Sequence, residues 1–84
     1  MAFIKSIIIM KPTIGRIVIF SMPDYLKVCV NGNKQDKLPA VIVAAWSDTV
    51  VNLKVITDGQ NDLWVTSVSQ GDNTNQWNWP VKEE

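Results

Sequence analysis

The chain has 84 residues, a formal net charge of zero, no histidine and a single cysteine. Apolar residues make up 46% and charged residues 19%, a balance typical of one folded domain and not of a disordered tail. Arg16 is the only arginine, so the chain offers no basic cluster for phosphates, and duplex DNA or RNA is not expected as its main partner. Cys29 has neither a disulfide partner nor a histidine beside it, and we predict a small buried apolar side chain.

The first ten residues are apolar but too short to span a bilayer, so we expect neither a membrane anchor nor a signal peptide. Ile7, Ile8 and Ile9 favour strand structure, and residues 1–9 are predicted to form an N-terminal extension that adds an edge strand. A single β-barrel domain is predicted over residues 10–80, because Pro80 ends the last strand. Residues 81–84 are predicted to be a frayed tail.

The strongest fold signal is the run of residues 39–56, which predicts two strands joined by a tight turn at Ser47-Asp48. A two-residue turn would pair Trp46 with Thr49, and a four-residue turn would leave the two faces unchanged. Side-chain alternation then predicts a core face made of Ile42, Ala44, Trp46, Thr49, Val51, Leu53 and Val55. The opposite face is apolar enough that a second layer, a curled sheet or a partner subunit should cover part of it.

Three further segments have strand character. Residues 16–20 follow a turn or bulge expected at Gly15, and residues 25–30 precede Asn31-Gly32, a dipeptide that favours type I′ turns. Residues 63–69 are predicted to form the last long strand, with Leu63 and Val65 in the core and Trp64 outside. A preceding loop shorter by one residue would reverse these two faces.

No stretch has the apolar spacing of a helix. The sequence therefore predicts an all-β fold, either a small SH3-like barrel or a strongly curled antiparallel sheet of five to seven strands.

The residues that could carry chemistry favour binding over catalysis. General acid–base catalysis needs paired carboxylates, a histidine or a tuned lysine, whereas the aspartates here stand mostly in turn contexts. We predict that the protein is not an enzyme and holds no cofactor or metal. Its predicted ligand-binding residues are the cations Lys11, Arg16 and Lys54, the polar residues Thr13, Asn52 and Thr66, and the indoles of Trp64, Trp77 and Trp79. Each also has a structural interpretation, such as core packing for the tryptophans and a solvated strand-end charge for Arg16.

Four motifs follow one another along the chain: KPTIGR at 11–16, PAVIV at 39–43, Asn52-Leu53, and WNWP at 77–80. This KPT-x-GR, PA-x-V, N-L and W-x-WP pattern resembles a group of small bacteriophage and prophage proteins over roughly residues 10–80. The resemblance implies a phage origin and action in the host bacterial cytoplasm, and it implies no catalytic residues.

Two function classes follow from these observations. The first is a small-molecule binder that counters bacterial defence by sequestering a nucleotide-derived immune signal. The second is a protein-interaction or virion-accessory module that docks on a phage or host protein through its tryptophans. A homo-oligomer is expected in either case, because the second sheet face and the N-terminal isoleucines are apolar. Single-stranded nucleic acid ranks third, since the chain has no basic track.

Overall fold

The computed structural model describes residues 10–81, so the extension predicted over residues 1–9 lies outside the described residues, as do residues 82–84 of the predicted tail. Strands account for 47% of the structure, and five of them form an antiparallel sheet that curls into a half-barrel. The all-β prediction is confirmed in its curled-sheet form. Within residues 10–81, no helix has the length and apolar character needed to cross a membrane.

The elements in chain order are β1 (Ile17–Ser21), α1 (Asp24–Lys27), β2 (Gly32–Asn33), β3 (Lys37–Ala45), β4 (Val50–Val55), β5 (Asp58–Gly59), β6 (Leu63–Ser69) and β7 (Trp77–Asn78). The large sheet has the strand order β6-β4-β3-β1-β7, and β2 pairs with β5 in a separate two-stranded ribbon. At one corner Gln70 bridges Trp77, and Gly71 N donates to Trp77 O at 2.8 Å. This contact brings the end of β6 beside the start of β7.

Alternation along the long strands builds the core, since every second side chain points to the inside of the curl. β4 has the clearest pattern, and its three inward residues, Val51, Leu53 and Val55, are fully buried. The remaining buried apolar residues are Val18, Phe20, Met22, Val30, Leu38, Ala40, Ile42, Val68 and Trp77. We call the opposite side of the sheet its outer face.

A bulge changes the predicted β3–β4 hairpin. Ile42 pairs with Leu53 as predicted, but the register then shifts by one residue at Val43, so that Ala45 pairs with Val51 and not with Val50. A bulge of this kind inserts an extra residue and rotates the side chains that follow it. Trp46 consequently leaves the core face and is 66% exposed, and the prediction that Trp46 lies in the core was wrong. Thr49 was also predicted to face the core, but it is exposed because it lies in the loop before β4, which begins at Val50.

The segment between β1 and β3 differs most from the prediction. Residues 24–27 form one helical turn in place of a strand, because Pro23 O accepts hydrogen bonds from Leu26 N and Lys27 N at 3.1 and 3.3 Å. A single turn is too short to show helical periodicity in the sequence. None of its side chains is buried, and Cys29, which follows it in a turn, is exposed. The prediction of a buried Cys29 was therefore wrong.

The expected type I′ turn at Asn31-Gly32 is also absent from the described residues, because Gly32 pairs with Gly59 in the β2–β5 ribbon. A Cβ atom at Gly32 would lie 2.3 Å from the backbone oxygen of Asp58. Close approach of two backbones, and not turn geometry, thus explains this glycine. Gly15 does stand in a turn, as predicted, with a φ of +97°.

β6 has the predicted bounds and the predicted orientation. Leu63 and Val65 pack against the core, although they are only half-buried, and Trp64 is 64% exposed on the outer face. Trp64 lies directly across from Lys54 of β4. The five-residue loop that sets this register, residues 58–62, contains β5.

Candidate ligand-binding cleft

A cleft of about 340 Å³ opens where β1, β7 and the loop after β6 meet. Its lining residues are Ile19, Ser21, Lys37, Gly71, Asp72, Asn78, Trp79, Pro80 and Val81. The register explains why these distant positions come together: Ile19 pairs with Asn78 of β7, and Ser21 pairs with Lys37 of β3. The corner contact at Gln70 then brings Gly71 and Asp72 over the same opening.

The apolar wall of the cleft is Trp79, which is held from behind by Trp77. The two rings meet edge to face, with centroids 5.3 Å apart and an interplanar angle of 87°. Trp77 is fully buried, and its Nε1 donates to Thr49 O at 3.0 Å. The guanidinium carbon of Arg16 lies 5.7 Å from the centroid of the Trp79 ring, within the range of a cation–π contact. Trp79 is thus a half-buried indole with a fixed orientation.

The polar wall is organised by Asn78. Its Oδ1 accepts hydrogen bonds from Gln70 Nε2 at 3.1 Å and from Trp79 N at 2.9 Å, and its Nδ2 donates to Asp72 Oδ1 at 2.7 Å. These bonds fix Asp72 at the rim of the cleft. A carboxylate can accept about four hydrogen bonds, so Asp72 retains acceptor capacity towards a ligand.

Lys37 supplies positive charge to the same cleft. Its Nζ donates to Ser21 Oγ at 3.1 Å, which uses one of the three ammonium protons. The cleft therefore presents an ammonium group, a carboxylate and an indole to any molecule that enters it. Such a combination can bind a ligand that has an anionic group, hydroxyl or amino donors, and a flat apolar ring.

The backbone beside Lys37 is fixed by an ion pair one residue earlier. Lys27 of α1 donates a short hydrogen bond to Asp36 and lies 3.5 Å from Asp24. The hydrogen bond from Lys27 lowers the pKa of Asp36 below its usual value, and the same bond raises the pKa of Lys27. Met22 N also donates to Asp36 O at 2.7 Å. α1 is thereby tied to the start of β3, next to the cleft.

The structure divides the nine residues predicted to bind a ligand into separate groups. Trp79 lines the cleft and Arg16 contacts its ring without lining the cleft itself, while Trp77 lies in the core and presents no ring face to a ligand. Lys11 and Thr13 are exposed and precede the Gly15 turn, where Thr13 O accepts a hydrogen bond from Arg16 N at 3.2 Å.

The other four predicted residues lie on the outer face of β4 and β6. Lys54, Trp64 and Thr66 are exposed there. Asn52 has a structural role, since its Oδ1 accepts hydrogen bonds from Ser67 N at 2.8 Å and from Trp46 Nε1 at 2.9 Å. Because Asn52 and the two outward side chains of β6 are not part of the cleft, a single subunit does not gather the nine residues into one site.

The four polar side chains that line the cleft were not predicted from the sequence: Ser21, Lys37, Asp72 and Asn78. Asn78 carried one usable signal, because a polar residue between Trp77 and Trp79 must point away from both indoles in a strand. Lys37 and Asp72 stand in polar segments with no distinguishing pattern.

Comparisons with known proteins give no relative from which a function could be carried over: no protein-family model, no curated protein and no solved structure matches the chain. Among residues 10–81, no group of three or more metal-ligating side chains comes together.

Proposed function

We propose that this chain is a small non-enzymatic phage-type binding protein that sequesters a nucleotide-derived immune signal in the Trp79 cleft. The observation that carries the proposal is the cleft itself, where a fixed indole, the Lys37 ammonium and the Asp72 carboxylate face one opening. Proteins that capture a signal stoichiometrically need such a site and no catalytic group. The motif resemblance to small phage proteins supports an anti-defence role in the host bacterial cytoplasm.

The volume and charge of the cleft narrow the ligand class. A volume of about 340 Å³ lies near the lower bound of about 300 Å³ for ligand pockets, so the cleft takes one nucleoside unit. We assign the base to the Trp79 ring, an anionic group to Lys37, and ribose hydroxyls to the carboxylate of Asp72. Because Asp72 repels additional negative charge, the favoured ligand bears few phosphates at this end.

A ligand screen tests the proposal. Thermal-shift and calorimetric titrations should compare nucleoside monophosphates, cyclic nucleotides and ADP-ribose derivatives with nucleoside triphosphates. Any ligand that binds only the native state raises the free energy of unfolding by about 2.7 kcal/mol at a hundred times its dissociation constant. A stabilising compound should come from the first three classes, and no shift with any compound would contradict the proposal.

Three substitutions locate the binding site. Trp79→Ala should weaken binding by about 5-fold to 150-fold, which corresponds to the loss of about 1–3 kcal/mol of stacking. Trp46→Ala is the matched control, because Trp46 is an exposed indole outside the cleft. Asp72→Asn preserves the acceptor for Asn78 and should improve the binding of polyphosphates relative to monophosphates. Equal losses for Trp79→Ala and Trp46→Ala would place the site elsewhere.

A protein-interaction module is the second candidate, and one observation favours it. Cross-strand pairing aligns Ile17, Val41, Lys54 and Trp64 in one row on the outer face. Ile17 is 48% exposed and Trp64 is 64% exposed, and exposed aromatic residues often anchor protein interfaces. If this candidate is correct, a phage or host protein should co-purify with the wild type and be lost on Trp64→Ala, while Trp79→Ala should retain it.

A further inference from the structure

Among the described residues, β6 is an edge strand of the large sheet. It pairs with β4 on one side, and within the described residues no strand lies along its other side, apart from the corner contact at Gln70. Its sequence, LWVTSVS, contains no charged residue and no proline. Edge strands of soluble proteins usually carry such residues, because they prevent pairing with another chain. The opposite edge differs, since β7 has two residues and Pro80 follows soon after.

The hydrogen bonds of β4 show which of its residues bond to β3 and which bond to β6. Val50 O accepts a bond from Trp46 N at 2.8 Å, and Ile56 N donates to Pro39 O at 2.9 Å. Both bonds point towards β3. Because backbone groups of an antiparallel strand bond to alternate sides, the odd-numbered residues of β4 bond towards β6.

The β6 partners of these odd-numbered residues are Leu63, Val65 and Val68. Trp64, between Leu63 and Val65, therefore directs its backbone N–H and C=O groups to the free edge. Thr66 and Ser67 both lie between Val65 and Val68. Thr66 follows Val65 in the alternation and also points outward, whereas Ser67 N donates to Asn52 Oδ1 at 2.8 Å. Two residues with outward-pointing donors and acceptors form a template for one more antiparallel strand.

The side chains on the inner side of β6 are also incompletely covered by the described residues. Val51, Leu53 and Val55 on the inner side of β4 are 0% exposed, whereas Leu63 and Val65 on the inner side of β6 are only half-buried. A strand beside β6 would cover them. Burial of this apolar surface would add a hydrophobic contribution to the backbone hydrogen bonds.

We propose that two copies of this chain pair through their β6 edges, antiparallel and around a two-fold axis at Val65. In this register Trp64 of each copy lies opposite Thr66 of the other, and these are the residues with outward backbone groups. The strand is uncharged and the whole chain has a formal net charge of zero, so two copies meet without electrostatic repulsion. One strand edge is smaller than the roughly 800 Å² per partner of a standard interface, so the dimer is concentration-dependent.

Sedimentation velocity and amide exchange test the proposal on the full chain. The mass should rise from 9.4 kDa towards twice that value between low and high micromolar concentration. Over the same range the amide protons of Trp64 and Thr66, followed by NMR, should become protected from exchange. A monomer at every concentration overturns the proposal. Protection of both amides that is independent of concentration also overturns it, and indicates that another segment of the same chain occupies the edge.

Two lysine substitutions separate edge pairing from docking of the outer faces. Thr66→Lys places a charge on the edge strand and should abolish the dimer while the thermal unfolding of the monomer is preserved. Ile17→Lys is the control, because Ile17 is exposed on the outer face of β1, far from β6 in the strand order. Dimerisation that survives Thr66→Lys and is lost with Ile17→Lys would overturn the edge model in favour of a face-to-face contact.

Discussion

Substitution of Asn52 distinguishes a structural role of this residue from a role in ligand binding. Asn52 was predicted to contact a ligand, whereas in the structure its side chain supports a bulge. Residues Thr66 and Ser67 are both accommodated opposite Asn52, where the β4–β6 register shifts. Ser67 adopts a φ of 54°, a left-handed conformation that is unusual for a residue other than glycine. The Asn52 side chain accepts the Ser67 N–H at 2.8 Å and the Trp46 Nε1–H at 2.9 Å.

Asn52→Ala removes the Oδ1 acceptor and with it both hydrogen bonds. Each hydrogen bond contributes about 0.5–1.5 kcal/mol, and water can replace part of it because Ser67 and Trp46 are exposed. We expect a loss of about 1.5 kcal/mol in the free energy of unfolding. For a domain of this size, about 1 kcal/mol shifts Tm by roughly 4–8 °C, so the melting temperature should fall by about 6–12 °C.

Chemical and thermal denaturation followed by circular dichroism measure this loss. Asn52→Asp keeps an acceptor oxygen at the same position and should stay close to the wild type. Ser67→Gly should recover part of the stability of Asn52→Ala, because glycine adopts the left-handed conformation without strain. Equal losses for Asn52→Ala and Asn52→Asp would refute the acceptor role, and loss of nucleotide binding in Asn52→Ala at unchanged stability would restore Asn52 to the ligand site.

Three other predictions concern the core, the ion pair and the small ribbon. Trp77→Ala should lower the free energy of unfolding by about 3–5 kcal/mol, since Trp77 is a fully buried aromatic residue. Denaturant titration measures this free energy, and a loss below about 1 kcal/mol would contradict the core position of Trp77. The lowered pKa of Asp36 means that its contribution to stability is present above the pKa of an unfolded aspartate and is lost as the pH falls through the folded pKa. Acid titration of Tm should therefore be flatter for Asp36→Asn than for the wild type, and parallel curves would argue against the Lys27 contact. Gly32→Ala should disrupt the β2–β5 ribbon, because its Cβ would lie 2.3 Å from Asp58 O. Gly15→Ala is the comparison, since its Cβ meets no atom within 4 Å and the substitution is disfavoured only by the φ of +97°. NMR chemical-shift changes confined to the ribbon are expected for Gly32→Ala, and an unchanged ribbon would refute this prediction.

Alternation allowed the long strands and their inner faces to be predicted, because it depends only on side-chain chemistry at neighbouring positions. The correct placement of Trp64 outside and Leu63 inside is an example. The same reasoning placed Trp46 in the core, which was wrong, because the bulge at Val43 contains no glycine or proline by which it could be recognised in the sequence. Bulges of this kind are set by how three strands fit together, and neighbouring residues do not encode them.

The cleft could not be predicted because it depends on contacts between distant parts of the chain. Ser21 and Lys37 meet through the pairing of β1 with β3, and Asp72 reaches Asn78 only when the corner at Gln70 closes. Each residue alone resembles an ordinary polar residue of a loop or strand end. The pairing register, which the sequence pattern left open, is what brings them together in one cleft.

Trp77 and Trp79 differ in exposure because of their positions along the strand and not because of the faces on which they lie. Alternation along a strand places the two indoles on one face, and their edge-to-face contact at 5.3 Å agrees with this. Trp77 stands opposite Phe20 within the sheet and is enclosed on all sides, whereas Trp79 lies just beyond the last paired residue of β7 and is only half-buried. The end of the strand therefore turns the second of two similar side chains into an accessible aromatic surface, supported by the first. This is why the ligand-binding hypothesis rests on Trp79, while Trp77 supplies the rigidity that keeps its ring in place.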